Sequence, residues 1–294
     1  MIYKFIYFTL LILLFSCNIK KENSEKDTGN TLIHAYITDS VIHKPLKFHP
    51  ESVSTWIDKF NTSFSPSGDT IYFTVTSQKL GITGIAYQKV ENGSFSYPEF
   101  VPFVSADLPM ADVQISPDGQ MMLFSTFKDY EGKPEGFNFN IWTSTLMKGK
   151  WQEPQPLGSP ISSEGNEFYP VMTNNRNIYF NSDKGGNSDI YVSRFLDGKY
   201  QEPQRLPDHI NSSEREADAF VSQDESFMIF VRVDQPEGFG NSDLYISFRN
   251  SDNQWSDPVN MGADVNSDLV AGSPSITPDN QYWIFPSGRV RDGV

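Results

Sequence analysis

Apolar and polar residues alternate along this chain in short runs, and no sustained run of apolar residues keeps the 3.6-residue spacing of a helix. One unit recurs five times: a short apolar strand, a turn of the Ser-Pro-Asp-Gly type, and a second apolar strand that ends in an aromatic residue. The closing aromatics are spaced 50 to 56 residues apart, at Phe73, Phe124, Phe180, Phe230 and Phe285. The pattern predicts an all-β protein with almost no helix beyond its N-terminal segment.

A second motif recurs four times, as Gly or Asn, one residue, an aromatic residue, two residues and Pro. Its copies begin at Gly93, Gly149, Gly198 and Asn253. Repeats of about 50 residues with several short strands each are typical of β-propellers. We therefore predict a β-propeller of five four-stranded blades over residues 31–294, with six blades as the alternative. The motif aromatics, among them Trp151, Tyr200 and Trp255, are expected to pack between blades.

The strands of each repeat are named A to D here, from the innermost strand outwards. The last repeat supplies only strands A and B before the sequence ends. Residues Leu32–Ile37 match strand C of the other repeats, and Val41–Phe48 match strand D. We therefore predict that N-terminal and C-terminal strands together complete the last blade, because such closure hides open sheet edges.

The N-terminal segment has a different pattern. Residues 1–16 contain one charge, Lys4, and an eleven-residue apolar run, Phe5–Phe15, followed by Ser16 and the only cysteine, Cys17. This run is shorter than the ~18 apolar residues that span a bilayer, and it favours a secretory signal peptide. The segment before Cys17 resembles the cleavage site of bacterial lipoproteins, which implies a lipidated Cys17; a plain signal peptide with a chance cysteine is the alternative. Residues 17–30 are polar and are expected to form a flexible tether.

Composition and charge exclude several classes of protein. The 294 residues carry a formal net charge of −14, which argues against nucleic acid as a partner because phosphate binding needs a basic surface. One cysteine excludes a disulfide scaffold. Full disorder is excluded by 23 Phe, 13 Tyr and 5 Trp, which can bury a large apolar surface.

Candidate binding residues lie where each innermost strand begins. Five positions share one register and are expected to ring a mouth of the central channel: Asn61, Asp112, Tyr169, Asp218 and Ser273. Two further acids, Glu167 and Glu216, come two residues before Tyr169 and Asp218. Pairs of carboxylates about 5–10 Å apart can hydrolyse glycosidic bonds. The alternative is that these polar residues solvate the channel or cap strand ends.

Two similar loops between strands B and C are further candidates. The segments Pro134–Phe137 and Pro236–Phe239 lengthen these loops in the second and fourth repeats. Phe137 and Phe239 are expected to stack on a sugar or to anchor a partner peptide, unless they fold back over the blade. The sequence contains no Gly-x-Ser-x-Gly motif, no phosphate-binding loop and no metal-ligand spacing among its four histidines. We therefore predict no catalytic residue, no metal and no cofactor.

The Ser-Pro-Asp-Gly turns and the Asn187–Tyr191 strand resemble the TolB-type, WD40-like β-propeller repeats of bacterial envelope proteins. The resemblance covers residues ~31–294 and implies a protein of the cell envelope, placed by its lipid anchor at the outer membrane. It implies binding of a protein partner or a glycan, and contact with the membrane through the anchor only. Two alternatives remain open: a glycan-active hydrolase or lyase with carboxylates at the channel mouth, and a scaffold subunit of an envelope complex.

Overall fold

The computed structural model describes residues 58–77, 81–91, 94–133 and 138–286. These residues form five β-sheets arranged around a central channel and one separate two-stranded hairpin, and they include no α-helix. Nothing in the described ranges could therefore cross a membrane as a long apolar helix.

Four of the sheets are complete blades with four or more strands, and each begins with its innermost strand. Blade 1 contains β1 (Asp58–Phe64), β2 (Thr70–Ser77), β3 (Ile82–Glu91), β4 (Ser94–Phe95) and β5 (Glu99–Phe100). Blade 2 contains β6 (Met110–Ile115), β7 (Met121–Thr126), β8 (Asn140–Met147), β9 (Lys150–Trp151) and β10 (Gln155–Pro156).

The remaining strands follow the same order. Blade 3 contains β11 (Glu167–Met172), β12 (Ile178–Ser182), β13 (Asp189–Ser193), the hairpin β14 (Phe195–Leu196) and β15 (Lys199–Tyr200), and β16 (Gln204–Arg205). Blade 4 contains β17 (Glu216–Val221), β18 (Phe227–Val233), β19 (Ser242–Phe248) and β20 (Val259–Asn260). The fifth sheet has two strands, β21 (Ser275–Ile276) and β22 (Trp283–Ile284).

All pairings within the sheets are antiparallel, which fixes the two faces of the propeller. The loops from one blade to the next and the loops between strands B and C emerge at one face, called the loop face here. The turns between A and B and the hairpins after strand C lie at the opposite face, called the turn face.

The outer strand of blades 1 to 3 is split in two by the proline of the repeated motif. Pro98 separates β4 from β5, Pro154 separates β9 from β10, and Pro203 separates β15 from β16. Proline has no backbone N–H to donate to a sheet, so the strand is interrupted there. The edge of each blade is therefore short and irregular, which disfavours pairing with another chain.

Apolar clusters fill the spaces between neighbouring sheets. Trp151 of blade 2 packs edge-on against Tyr72 of blade 1, and Trp255 of blade 4 packs in the same way against Tyr179 of blade 3. The predicted packing of these motif aromatics between blades is confirmed. Each middle strand is buried on both faces because a neighbouring blade covers each side.

The predicted β-propeller class is confirmed, but the described residues contain four complete blades where five were predicted. The fifth sheet closes the ring, since β21 contacts β1, but only its strands A and B are described. Its predicted strands C and D, at Leu32–Ile37 and Val41–Phe48, lie outside the described residues, as do the signal peptide and tether. Closure by N-terminal strands therefore stays a prediction.

Candidate functional site in the central channel

The five candidate positions share an unusual backbone conformation. Each has a positive φ, at Asn61 (51°), Asp112 (60°), Tyr169 (50°), Asp218 (51°) and Ser273 (43°). In the four complete blades the pairing of strand A with strand B shifts at this point, so one extra residue bulges from strand A. A bulge redirects its side chain and is often found beside functional sites. Asn and Asp tolerate this left-handed backbone best, and they fill three of the five positions.

The two aspartates connect neighbouring sheets. The backbone N–H of Tyr169 donates to Oδ2 of Asp112 at 3.3 Å, which joins blade 2 to blade 3. The backbone N–H and the hydroxyl of Ser273 donate to Oδ2 of Asp218 at 3.0 and 2.8 Å, which joins blade 4 to the fifth sheet. One oxygen of each carboxylate is therefore engaged in holding the ring together.

The electrostatics of the channel favour protonation of these aspartates. Burial, together with the nearby charge of Asp218, raises the pKa of Asp112 to about 6. Burial also raises the pKa of Asp218. Two carboxylates whose charges interact resist simultaneous ionisation. Burial and this repulsion together favour the protonated form of Asp112.

The side chain of Tyr169 crosses the channel at the level of the bulges. Its hydroxyl donates to the backbone carbonyl of Pro274 at 2.8 Å, although Tyr169 belongs to blade 3 and Pro274 to the fifth sheet. These sheets are not neighbours, because blade 4 lies between them, so the phenol ring reaches across the channel. Burial and the two aspartates raise the pKa of this phenol, which keeps it a neutral hydrogen-bond donor.

A small cavity with both polar and apolar walls remains on the turn-face side of Tyr169. It has a volume of about 80 Å³ and is lined by the inner strands of all five sheets, with Asp112, Gln114, Gln223 and Ser275 among its polar residues. A water molecule occupies about 30 Å³ in the liquid, so this space fits a few waters. Pockets that bury a small-molecule ligand measure about 300–1,000 Å³. This cavity is therefore too small to bury a sugar ring.

Asn61 differs from the other residues of the ring. Its side chain is 3% exposed, and neither its oxygen nor its nitrogen has a hydrogen-bond partner. If Asn61 acted as Asp112 does, its side chain would accept the backbone N–H of Asp112 in the next blade. That N–H donates instead to the hydroxyl of Thr74 at 3.1 Å. The connection seen at Asp112 and Asp218 is thus missing at Asn61.

The other two acids are buried, and their carboxylates bind the loops that precede strand A. Glu167 accepts hydrogen bonds from the hydroxyl and, at 3.2 Å, from the backbone N–H of Ser163. Glu216 accepts the equivalent pair from Ser212 at 2.6 and 2.9 Å and lies 3.4 Å from Nε of Arg232. Burial raises the pKa of both glutamates to about 7. Neither carboxylate is exposed to solvent. A role of these glutamates in binding stays a prediction.

Of the two loop phenylalanines, Phe239 is described and Phe137 lies outside the described residues. The side chain of Phe239 is 45% exposed, so it does not fold back over the blade. Its backbone N–H donates to Oδ2 of Asp243 at 2.6 Å, which fixes the loop on the start of strand C.

Sequence reasoning missed an aromatic cluster on the loop face. Three half-buried rings form it. The ring of Phe139 contacts that of Phe127, with centroids 5.3 Å apart, and that of Phe168, with centroids 5.4 Å apart. Phe168 is the residue before Tyr169, so the cluster adjoins the ring of bulges. Within the described ranges no three potential metal ligands come together, and the predicted absence of a metal or cofactor remains a prediction.

Comparisons with known proteins identify relatives by fold. No protein-family profile and no curated protein sequence matches this chain. Among solved structures, a TolB protein from Agrobacterium tumefaciens is 18% identical, with a TM-score of 0.47 over 80% of this chain and 92% of that one. A thermostable family-43 glycoside hydrolase is 12% identical, with a TM-score of 0.50 over 78% and 83%. The hydrazine synthase of Kuenenia stuttgartiensis is 15% identical, with a TM-score of 0.50 over 80% of this chain and 36% of that one. At these identities the likeness shows the β-propeller fold alone.

Proposed function

We propose that this chain is a non-catalytic lipoprotein of the bacterial cell envelope, whose propeller binds a protein partner or a glycan at the rim of the channel. The size of the channel carries the proposal. The described cavity beside Tyr169, of about 80 Å³, is too small to enclose a sugar or a peptide. A macromolecular ligand therefore meets the loops around the channel, which is where rigid scaffolds usually carry their binding residues.

The state of the carboxylates also favours binding over catalysis. Glu167 and Glu216 are buried and hold loops, and Asp112 and Asp218 each hold the next sheet. A catalytic acid or nucleophile must instead reach the substrate atom that it attacks or protonates.

The location rests on the N-terminal sequence. Cys17 follows a short apolar segment that suits a lipoprotein signal, and the polar residues after it give a tether. Acylation of Cys17 would hold the propeller at the membrane, with the outer membrane as the expected site. Labelling with an alkyne fatty acid should mark the wild-type chain and leave Cys17→Ser unlabelled; equal labelling of both would contradict the anchor.

The binding function is tested with the soluble Cys17→Ser form. We expect either a stoichiometric protein partner from envelope extract, identified by cross-linking, or saturable binding on a glycan array. The unfolded Cys17→Ser chain at equal concentration is the control. A folded chain that binds no glycan and no stoichiometric partner would contradict the proposal.

One observation favours a glycan-active hydrolase or lyase as the second candidate. Asp112 has its pKa raised to about 6 by burial and by Asp218, and pairs of carboxylates with unequal environments are typical of glycosidases. Activity on polysaccharides that disappears in both Asp112→Asn and Asp218→Asn would establish this candidate. Activity that survives both changes would reject these residues as its catalysts.

A further inference from the structure

Two loops of the loop face pack directly on each other. The loop over residues 234–241 connects strands B and C of blade 4, and the loop over residues 261–272 leads from blade 4 into the fifth sheet. A β-carbon at Gly240 would lie 2.4 Å from the carbonyl oxygen of Ser267 and 3.0 Å from the carbonyl carbon of Asp268. The two loops therefore form one continuous surface, and Gly240 permits their close approach.

This surface carries exposed apolar side chains. Phe239 is 45% exposed on the first loop, and Val270 is 62% exposed on the second. The first loop is fixed, because the N–H of Phe239 donates to Asp243 and the amide of Asn260 donates to the same carboxylate oxygen at 3.1 Å. A fixed loop loses little conformational entropy when a partner binds, so an exposed aromatic there is a good anchor.

The charged residues within these two loops are all acidic, although the exposed Arg215 lies beside the start of the first loop, where its carbonyl accepts the N–H of Val233. Neither loop contains Lys or Arg; Asp234 and Glu237 are exposed on the loop of Phe239, and Asp264 and Asp268 are exposed on the loop of Val270. We name these five residues the Phe239 patch: Phe239, Val270, Asp234, Glu237 and Asp268. Anionic lipid headgroups and nucleic acid would be repelled, whereas a cationic segment would gain attraction during encounter and after docking.

We infer that the Phe239 patch docks a segment of a partner protein in which Lys or Arg alternates with apolar residues. The apolar side chains of this segment would contact Phe239 and Val270, while its cations face Asp234, Glu237 and Asp268. The inference rests on the proposed binding function and names the chemistry of the partner. A glycan lacks these cations, so it would not depend on the three acids.

The direct test uses a fluorescent hexapeptide that alternates lysine and leucine, with a glutamate–leucine hexapeptide as the opposite probe. Fluorescence anisotropy with the Cys17→Ser protein should show saturable binding of the lysine peptide, weakening as salt increases. The glutamate peptide should not bind.

Variants locate the binding surface. Phe239→Ala should weaken binding of the lysine peptide by about tenfold or more, as loss of an interface anchor does. The triple variant Asp234→Asn, Glu237→Gln, Asp268→Asn should weaken binding and reduce its dependence on salt. Phe248→Ala and Asp252→Asn are matched controls, because Phe248 is 53% exposed and both residues lie on the turn face. Unchanged unfolding midpoints confirm that the variants are folded.

The outcomes separate this inference from the proposed function. Equal affinity of wild type and Phe239→Ala, equal losses in the turn-face controls, or equal binding of the glutamate peptide would each overturn the inference. If Phe239→Ala still retains the stoichiometric partner or glycan of the wild type, the inference fails and the proposed function stands. If the wild type has no partner and no glycan, the proposed function itself fails.

Discussion

Some single residues in this protein have structural roles that cannot be predicted from their residue type. Tyr169 has the left-handed backbone that non-glycine residues seldom adopt, and its phenol crosses the channel to Pro274. Asp218 occupies the same register in the next blade and binds Ser273. These side chains join sheets that are far apart in sequence, so the residues of the candidate site also hold the ring together.

Tyr169→Phe tests this structural role. The change removes one hydroxyl and leaves the carbonyl of Pro274 without its donor, which should lower the free energy of unfolding by about 1–2 kcal/mol. Urea unfolding measures the difference. Tyr97→Phe, at an exposed tyrosine, is the control and should change nothing. Equal stability of Tyr169→Phe and wild type would contradict the bridge across the channel.

Stability should depend on pH through buried carboxylates. The pKa of Glu167 and of Glu216 rises to about 7 in the folded state, and that of Asp112 to about 6. The folded chain then binds more protons than the unfolded chain between about pH 4 and pH 7, so the free energy of unfolding falls as pH rises through this range. The contribution of these groups is fully present below the unfolded pKa and lost above about pH 7.

Thermal unfolding at pH 5, 6, 7 and 8 measures this dependence. The midpoint should decrease from pH 5 to pH 8, and Glu167→Gln should flatten the decrease. The carboxylates with lowered pKa, such as Glu225, act only at lower pH, where they oppose acid unfolding. A midpoint that rises from pH 5 to pH 8 would contradict the prediction.

At the scale of elements, the turn between strands A and B repeats one geometry with different residues. Its fourth residue has a positive φ in every repeat: Gly68, Gly119, Arg176, Glu225 and Asn280. In four of the turns the first Ser or Thr accepts the N–H of the residue five positions later, for example Met121 N–H to Ser116 at 2.9 Å. This hydroxyl holds the turn closed even where glycine is absent.

Two substitutions at this turn position should therefore differ in their effect on stability. Gly119→Ala places a side chain at φ +71° and brings its β-carbon to 3.0 Å from Cδ of Pro66, so it should destabilise by about 1–2 kcal/mol. Asn280→Gly, in an exposed turn with φ 57°, should stay within about 0.5 kcal/mol of wild type. Chemical unfolding of both variants checks this; equal losses would show that backbone strain is not the cause.

At the scale of the whole molecule, stability depends on closing the ring. The fifth sheet covers an apolar cluster of blade 4 that contains Ile229, Val231 and Leu244, and Trp283 and Phe285 pack against it. The same sheet contacts blade 1 through β21 and β1. Removal of the sheet would expose both neighbours at once.

Truncation after Ala271 should therefore give an aggregating or unfolded chain, because each uncovered side chain of this size loses about 1.5–3 kcal/mol of burial. Truncation after Pro286 is the control, since it retains all strands of the fifth sheet that are described. Size-exclusion chromatography and circular dichroism compare the two. A folded, monomeric chain ending at Ala271 would show that the first four blades are stable alone.

The repeated patterns predicted the class of fold because they are local. The Ser-Pro-Asp-Gly turns, the closing aromatics from Phe73 to Phe285 and the motif aromatics Trp151 and Trp255 each follow from a few neighbouring residues. The common register of Asn61, Asp112, Tyr169, Asp218 and Ser273 could also be found by aligning the repeats. The burial of Glu167 and Glu216 could not, because it depends on loops that fold back onto strand A.

The sequence by itself determined the strands, the turns, the repeat and the positions that begin each inner strand, since these depend on backbone preferences and on alternation of apolar residues. Only the tertiary structure decided what those positions do. The crossing of Tyr169 to Pro274, the effect of Asp218 on the pKa of Asp112 and the contact of the Phe239 loop with the loop before the fifth sheet all involve residues more than 25 positions apart. Such contacts arise from closure of the ring, which no local pattern encodes.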